Sequence, residues 1–194
     1  ETEYEEMQST TNLKDAIKPE APTIREELSN NICFDWELGK IEKVENALKK
    51  SKYITSIELI NNRLVPNPIE CRSAIGQYDQ ECNTYNLHCS SQGVHGLKKK
   101  LSAIFNIQEE KLNVFTQDVG GGFGMKIFNY PEYVITLAAS KLINRPVKWI
   151  AKRSESFLSD IHGRDHYSTA KLGFDKNYKI TALKVNTFAN LGAY

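Results

Sequence analysis

Five residues, Gly120-Gly121-Gly122-Phe123-Gly124, constrain this chain more than any other segment. A backbone so poor in Cβ atoms neither propagates a helix nor holds a strand, so it must turn, and its flanks say which kind of turn. Leu112 to Thr116 reads as a buried strand running into the glycines, and about Pro131 to Leu142 reads as a helix with proline in its first turn. Strand, glycine turn and helix in that order let backbone N–H groups approach an anionic or electron-rich group closely. A tight turn with no ligand satisfies the same residues. The segment is not a P-loop, because Ile127 follows Lys126 where serine or threonine would hold magnesium, and it lacks the spacing of the dinucleotide fingerprint.

Around this turn the patterning predicts an α+β fold, a mixed sheet with packed helices. Residues 1 to 50 are polar and interrupted, with Pro19 and Pro22 bracketing Glu20-Ala21, and are expected to form an extended connector. Within it, Ile41, Val44, Ala47 and Leu48 fall at helical spacing over 41 to 49. Strands are predicted at Tyr53 to Leu59, Asn83 to Cys89 and Val147 to Ala151. Val94, Leu97, Leu101, Ile104 and Phe105 mark one helix face, whose reverse carries Lys98, Lys99 and Lys100 as a solvated surface. Tyr167 to Tyr194 reads as two long strands joined at Asp175 to Lys179. The expected division is a connector at 1–50 and the N-terminal part of a larger domain at 51–194, whose last strand-like run, Asn190 to Tyr194, closes on no terminating turn.

Composition narrows the function. Lys plus Arg number 25 against 24 Asp plus Glu, so no net field draws the whole chain onto nucleic acid or an anionic membrane. No apolar run approaches the ~20 residues that span a bilayer, and the acidic start is no signal peptide, which predicts a cytoplasmic chain without membrane insertion. Cys33, Cys71, Cys82 and Cys89 form no Cys-x-x-Cys pair and are expected as reduced thiols, not metal ligands. His162 and His166 stand four apart, but Gly163 argues against a helix, and Asp160 to His166 reads as a polar loop with internal salt bridges. Arg153 and Glu155 read as paired structural charges. Gln92 lies between a strand end and the lysine-bearing helix, where its amide either caps the helix or faces a ligand.

Taken together, several segments resemble one family. Gln117-Asp118-Val119-Gly120-Gly121-Gly122-Phe123-Gly124-Met125-Lys126 is followed by Arg145-Pro146-Val147-Lys148-Trp149, Arg153-Ser154-Glu155, Gly163-Arg164-Asp165 and Asn190-Leu191-Gly192-Ala193-Tyr194. Upstream stand Arg63-Leu64-Val65-Pro66-Asn67-Pro68-Ile69-Glu70 and Ser90-Ser91-Gln92-Gly93-Val94-His95. In this order they resemble the molybdopterin-binding large subunit of the xanthine dehydrogenase, aldehyde oxidase and aerobic carbon monoxide dehydrogenase family.

The resemblance implies that the chain is an incomplete molybdopterin-binding domain, inactive alone. It also implies that the backbone of Gly121, Gly122, Phe123 and Gly124 meets the dithiolene end of a molybdenum-molybdopterin cofactor, for which the family admits a cytosine dinucleotide form. Gln92 would aim at an oxo ligand of the metal, and no protein side chain would ligate molybdenum. The family's chemistry is oxidation of an aldehyde, an N-heterocycle or carbon monoxide, with a glutamate base beyond residue 194. Electrons leave through an iron-sulfur small subunit and an FAD-binding medium subunit, in a dimer of heterotrimers. Departures from the family's pattern fall at Ile127, where purine oxidisers carry a glutamate, at Ile69 and Cys71, and at Tyr178, a turn position usually held by glycine. A free-standing phosphate- or nucleotide-binding α/β module is the competing expectation.

Overall fold

A computed structural model describes residues 3–192. In chain order its elements are α1 (Leu13–Ala16), α2 (Ile41–Lys50), β1 (Tyr53–Asn61), β2 (Ser73–Asp79), β3 (Thr84–Cys89), α3 (Val94–Phe105), β4 (Leu112–Phe115), α4 (Pro131–Ile143), β5 (Val147–Ile150), α5 (Arg153–Ser159), β6 (His166–Phe174) and β7 (Ile180–Ala189). They group into two compact units, one of residues 1–63 with 164–194 and one of residues 64–163. Ala193 and Tyr194, the end of the last sequence motif, lie outside the described residues, as do Glu1 and Thr2.

The second unit carries the glycine turn. Its four-stranded sheet has the order β4-β3-β2-β5. β2 pairs antiparallel with both β3 and β5, while β3 and β4 run parallel, from Tyr85 opposite Leu112 to His88 opposite Phe115. Two parallel neighbours need a crossover, and α3 supplies it. The carboxyl ends of β3 and β4 therefore lie side by side, with Ser90 to Gln92 leaving one and the glycine run leaving the other. The core beneath is Ala74, Tyr85, Leu87, Leu97, Leu101, Leu112, Met125, Tyr130, Tyr133, Leu137 and Cys89. Burial pushes the Cys89 thiol up to about 12, which keeps it protonated and unreactive.

Two elements of this unit have no counterpart in the sequence reading. β2 points Ala74 and Gly76 inward, so its buried face has almost no side-chain signal. Gly76 lets α4 approach: a Cβ there would lie 2.6 Å from the Thr136 carbonyl carbon and 2.7 Å from the Leu137 nitrogen. α5 is short and polar. Its Glu155 accepts from the Lys152 N–H at 3.2 Å, while Arg153 reaches elsewhere, so these residues are not paired with each other.

In the first unit β1, β6 and β7 form an antiparallel sheet in that order. α1, within the expected connector, is capped by the Asn12 side chain at the Lys14 N–H, 2.9 Å. α2 buries Leu48 and leaves Ile41 exposed, so the predicted apolar stripe is used at one end only. The β6–β7 hairpin turns where the sequence places it. Tyr178 there has φ +63°, in the left-handed region, and stacks on Tyr53 with ring centroids 5.3 Å apart.

Candidate functional site

The glycine run is a turn whose torsions most residues resist. Gly121 and Gly124 have φ of +94° and +88°, and Phe123 between them has φ +52°. The turn closes with the Met125 N–H donating to the Gly122 carbonyl at 2.9 Å. Met125 is buried, and its carbonyl accepts from the Tyr130 hydroxyl at 2.9 Å, which anchors the far side of the loop at the start of α4. Among the described residues, the N–H groups of Gly121, Gly122 and Phe123 donate to nothing.

Gln92 holds this loop from the neighbouring strand end. Its Oε1 accepts from the Gly124 N–H at 3.0 Å and from the Lys126 N–H at 3.2 Å, and its own N–H donates to the Lys126 carbonyl at 3.1 Å. Because two N–H groups converge on one atom of the amide, that atom must be the oxygen. The Nε2 is left over, with no acceptor among the described residues. Gly122 makes room for it: a Cβ at 122 would lie 2.3 Å from Gln92 Oε1 and would displace that side chain. Gln92 is thus neither a simple helix cap nor a donor alone, since its oxygen shapes the loop while its NH₂ remains available.

On the other side stands Glu70. Its Oε2 accepts from the Gly120 N–H at 2.9 Å and from Lys126 Nζ at 2.6 Å, and its own N–H donates to the Gly120 carbonyl at 3.2 Å. The Lys126 side chain is 0% exposed and the Glu70 side chain 37%. Burial works to raise the Glu70 carboxyl, but the Lys126 ammonium and the Gly120 N–H overcome it and hold the group below its ordinary value. Arg153 steadies the approach to Glu70: it donates to the Pro68 and Ile69 carbonyls, 2.7 Å each, and to Asn67 Oδ1. In the sequence Lys126 argues against a P-loop and closes the Gln117–Lys126 motif, but nothing there names Glu70 as its partner. The position of Lys126 within Met125-Lys126-Ile127-Phe128 was the available signal, because a lysine in an apolar run needs a buried partner.

The remaining candidates fall elsewhere. The charges of the 160–166 loop are not paired internally. Asp160 accepts from Arg72 Nε at 2.6 Å, and Asp165 accepts from Arg63 Nε at 3.1 Å. Arg72 is fully buried and is further matched by Glu132 at 2.9 Å and by the Tyr130 ring, 3.6 Å from its guanidinium carbon, which makes it a structural centre of the second unit. The four cysteines are unpaired, with Cys33 and Cys82 exposed. Among the described residues no helix is long and apolar enough to cross a membrane.

Comparison with known proteins decides what such a loop belongs to. A model of the molybdopterin cofactor-binding domain matches residues 24–194. The chain belongs to this family. It is 29% identical to the carbon monoxide dehydrogenase large chain of Hydrogenophaga pseudoflava, over 99% of this chain and 25% of that protein. Among solved structures it resembles reconstituted CO dehydrogenase from Oligotropha carboxidovorans, with a TM-score of 0.90, 28% identity, and coverage of 96% of this chain and 25% of that one. It also resembles quinoline 2-oxidoreductase from Pseudomonas putida 86, with a TM-score of 0.89, 27% identity, and coverage of 99% and 24%. The chain therefore spans about a quarter of the length of these relatives. The expected α+β class stands with these matches, and a free-standing nucleotide-binding module finds no support among them.

Proposed function

We propose that this chain forms one wall of the molybdopterin site in the large subunit of a molybdenum hydroxylase. One observation carries the reading: three successive N–H groups, at Gly121, Gly122 and Phe123, lie unused in a left-handed turn beside Gln92, whose oxygen is spent on the loop and whose NH₂ is not. Such a donor set fits a group rich in oxo and dithiolene acceptors, and it asks for no protein ligand to the metal. The bound cofactor would supply two-electron oxidation of the substrate. The role of this chain is to donate hydrogen bonds where negative charge accumulates, Gln92 Nε2 from one side and the loop amides from the other. Gly124 contributes its torsion and its bond to Gln92, so that its neighbours keep their N–H groups outward.

The substrate class of the parent is a small molecule: an aldehyde, an N-heterocycle or carbon monoxide. Quinoline 2-oxidoreductase and the CO dehydrogenases among the similar proteins support that range. Ile127, apolar and half exposed beside the loop, stands where purine oxidisers carry a glutamate and so counts against a xanthine-type substrate. The cofactor's dinucleotide form, an iron-sulfur and an FAD-binding partner subunit, a dimer of heterotrimers and a cytoplasmic location complete the proposal. Residues 1–50 serve as connector and 51–194 as the first part of the cofactor domain. Purified full-length protein should contain molybdenum and pterin, and should reduce an artificial acceptor with at least one member of the substrate range. Protein that folds yet contains neither contradicts the reading.

A further inference from the structure

The Glu70–Lys126 pair is an expensive arrangement for a loop of glycines. Removing an ammonium from water costs several kcal/mol, and a fold that needed only a turn would place an apolar residue at 126. The pair's geometry explains the expense. One carboxylate oxygen, Glu70 Oε2, binds Lys126 Nζ at 2.6 Å and the Gly120 N–H at 2.9 Å, so it grips both ends of the run from 120 to 126. Within that span Gln92 Oε1 binds the Gly124 and Lys126 N–H groups. The two side chains thus divide the labour. They satisfy the N–H groups at 120, 124 and 126 and leave those at 121, 122 and 123 over. Gly120 and Gly122 are the positions that permit it, since a Cβ at 120 would lie 2.6 Å from the Glu70 Cβ and one at 122 would lie 2.3 Å from Gln92 Oε1. Arg153, bonded to the Pro68 and Ile69 carbonyls, holds Glu70 in place from behind.

We propose that Glu70 and Lys126 are positioning residues that lock the glycine loop in its ligand-accepting shape before any cofactor arrives. Neither touches the cofactor; they act by fixing which backbone N–H groups stay unpaired. This inference rests on the molybdopterin reading for the identity of the ligand, but the locking itself is measurable without it. Pre-organised donors lose no conformational freedom on binding, which is the physical advantage of paying for the pair in the unloaded protein.

The test uses the full-length protein, cofactor-free and cofactor-loaded, in the wild type and in Glu70→Gln, Lys126→Met and the double variant. Each single change strands one charge and risks the fold, so the double change, which removes both charges together, is the deciding variant. In cofactor-free double variant, hydrogen exchange of peptides spanning 117–128 should be at least about tenfold faster, the consequence of losing a charge-assisted hydrogen bond. Peptides of β3 and α4 should exchange as in the wild type. Molybdopterin content should fall, and the molybdenum resonance signal of the remaining loaded fraction should shift, because the amides around it are no longer held. Wild-type exchange across 117–128, or faster exchange with unchanged cofactor content and signal, overturns the proposal. A wild-type protein that binds no molybdopterin sinks the functional reading instead, and the exchange comparison still decides the locking.

Discussion

In the proposed site Gln92 would have two separable jobs, holding the loop through its oxygen and donating through its NH₂, and substitution can part them. A carboxylate at 92 keeps an acceptor for the Gly124 and Lys126 N–H groups but loses the NH₂. If the parent is the proposed hydroxylase, Gln92→Glu in the full-length protein is therefore expected to retain molybdenum while turnover falls on the order of ~10²-fold, as when one oxyanion-type donor is lost. Gln92→Ala removes both functions and should lower cofactor content as well. Metal analysis beside steady-state rates separates the two, and equal metal loss in both variants would refute the division of roles. Acid acts at Glu70. Its folded-state value lies below the ordinary 4.5, so its contribution is fully present above that value and disappears as pH falls through the lower folded value. Exchange of the 117–128 peptides, corrected for intrinsic rate, should be flat from pH 7 to about 5 and rise only below. At Tyr178 two contributions, a left-handed torsion and a ring stack, can likewise be separated by substitution. Tyr178→Ala keeps the strained torsion and loses the stack on Tyr53, whereas Tyr178→Gly loses the stack and relieves the strain. The alanine variant should be the less stable of the two by about 1 kcal/mol in denaturant melts.

At the scale of elements, what the sequence disclosed depended on where each element's signal resides. α3 was legible because its buried residues Leu97 and Leu101 recur at helical spacing, and α4 because Pro131 opens its first turn. The β6–β7 hairpin was legible from its polar turn. β2 was not, since its inward positions are Ala74 and Gly76, and at Gly76 the buried partner is helix backbone and not a side chain. Gly76→Ala should accordingly cost about 1–3 kcal/mol by forcing α4 away, an overpacking effect measurable by urea unfolding. α5 hid because its seven residues bury only Ser156. The candidate site divided in the same manner. The glycines and Gln92 stood out as residue types, while Glu70 and Lys126 are 56 positions apart and share nothing that periodicity detects.

The molecule as a whole reflects a chain about a quarter the length of its relatives. On the β1-β6-β7 sheet, Ile57 and Leu59 share a face with Leu183 and Val185, and all four are more than half exposed, while the opposite face carries the Glu45–Lys184 contact to α2. The 194-residue chain expressed alone should therefore bind the hydrophobic dye ANS and elute larger than a monomer. A monomer that leaves the dye dark would contradict this. In the proposed site, backbone N–H groups would reach a pterin-held metal from a loop without side-chain bulk at 120–122 and 124. The most direct test is the molybdenum content of full-length Gly122→Val against wild type, with folding of both verified by circular dichroism. A metal-depleted, folded variant is expected; a folded variant carrying wild-type molybdenum would contradict the proposed site.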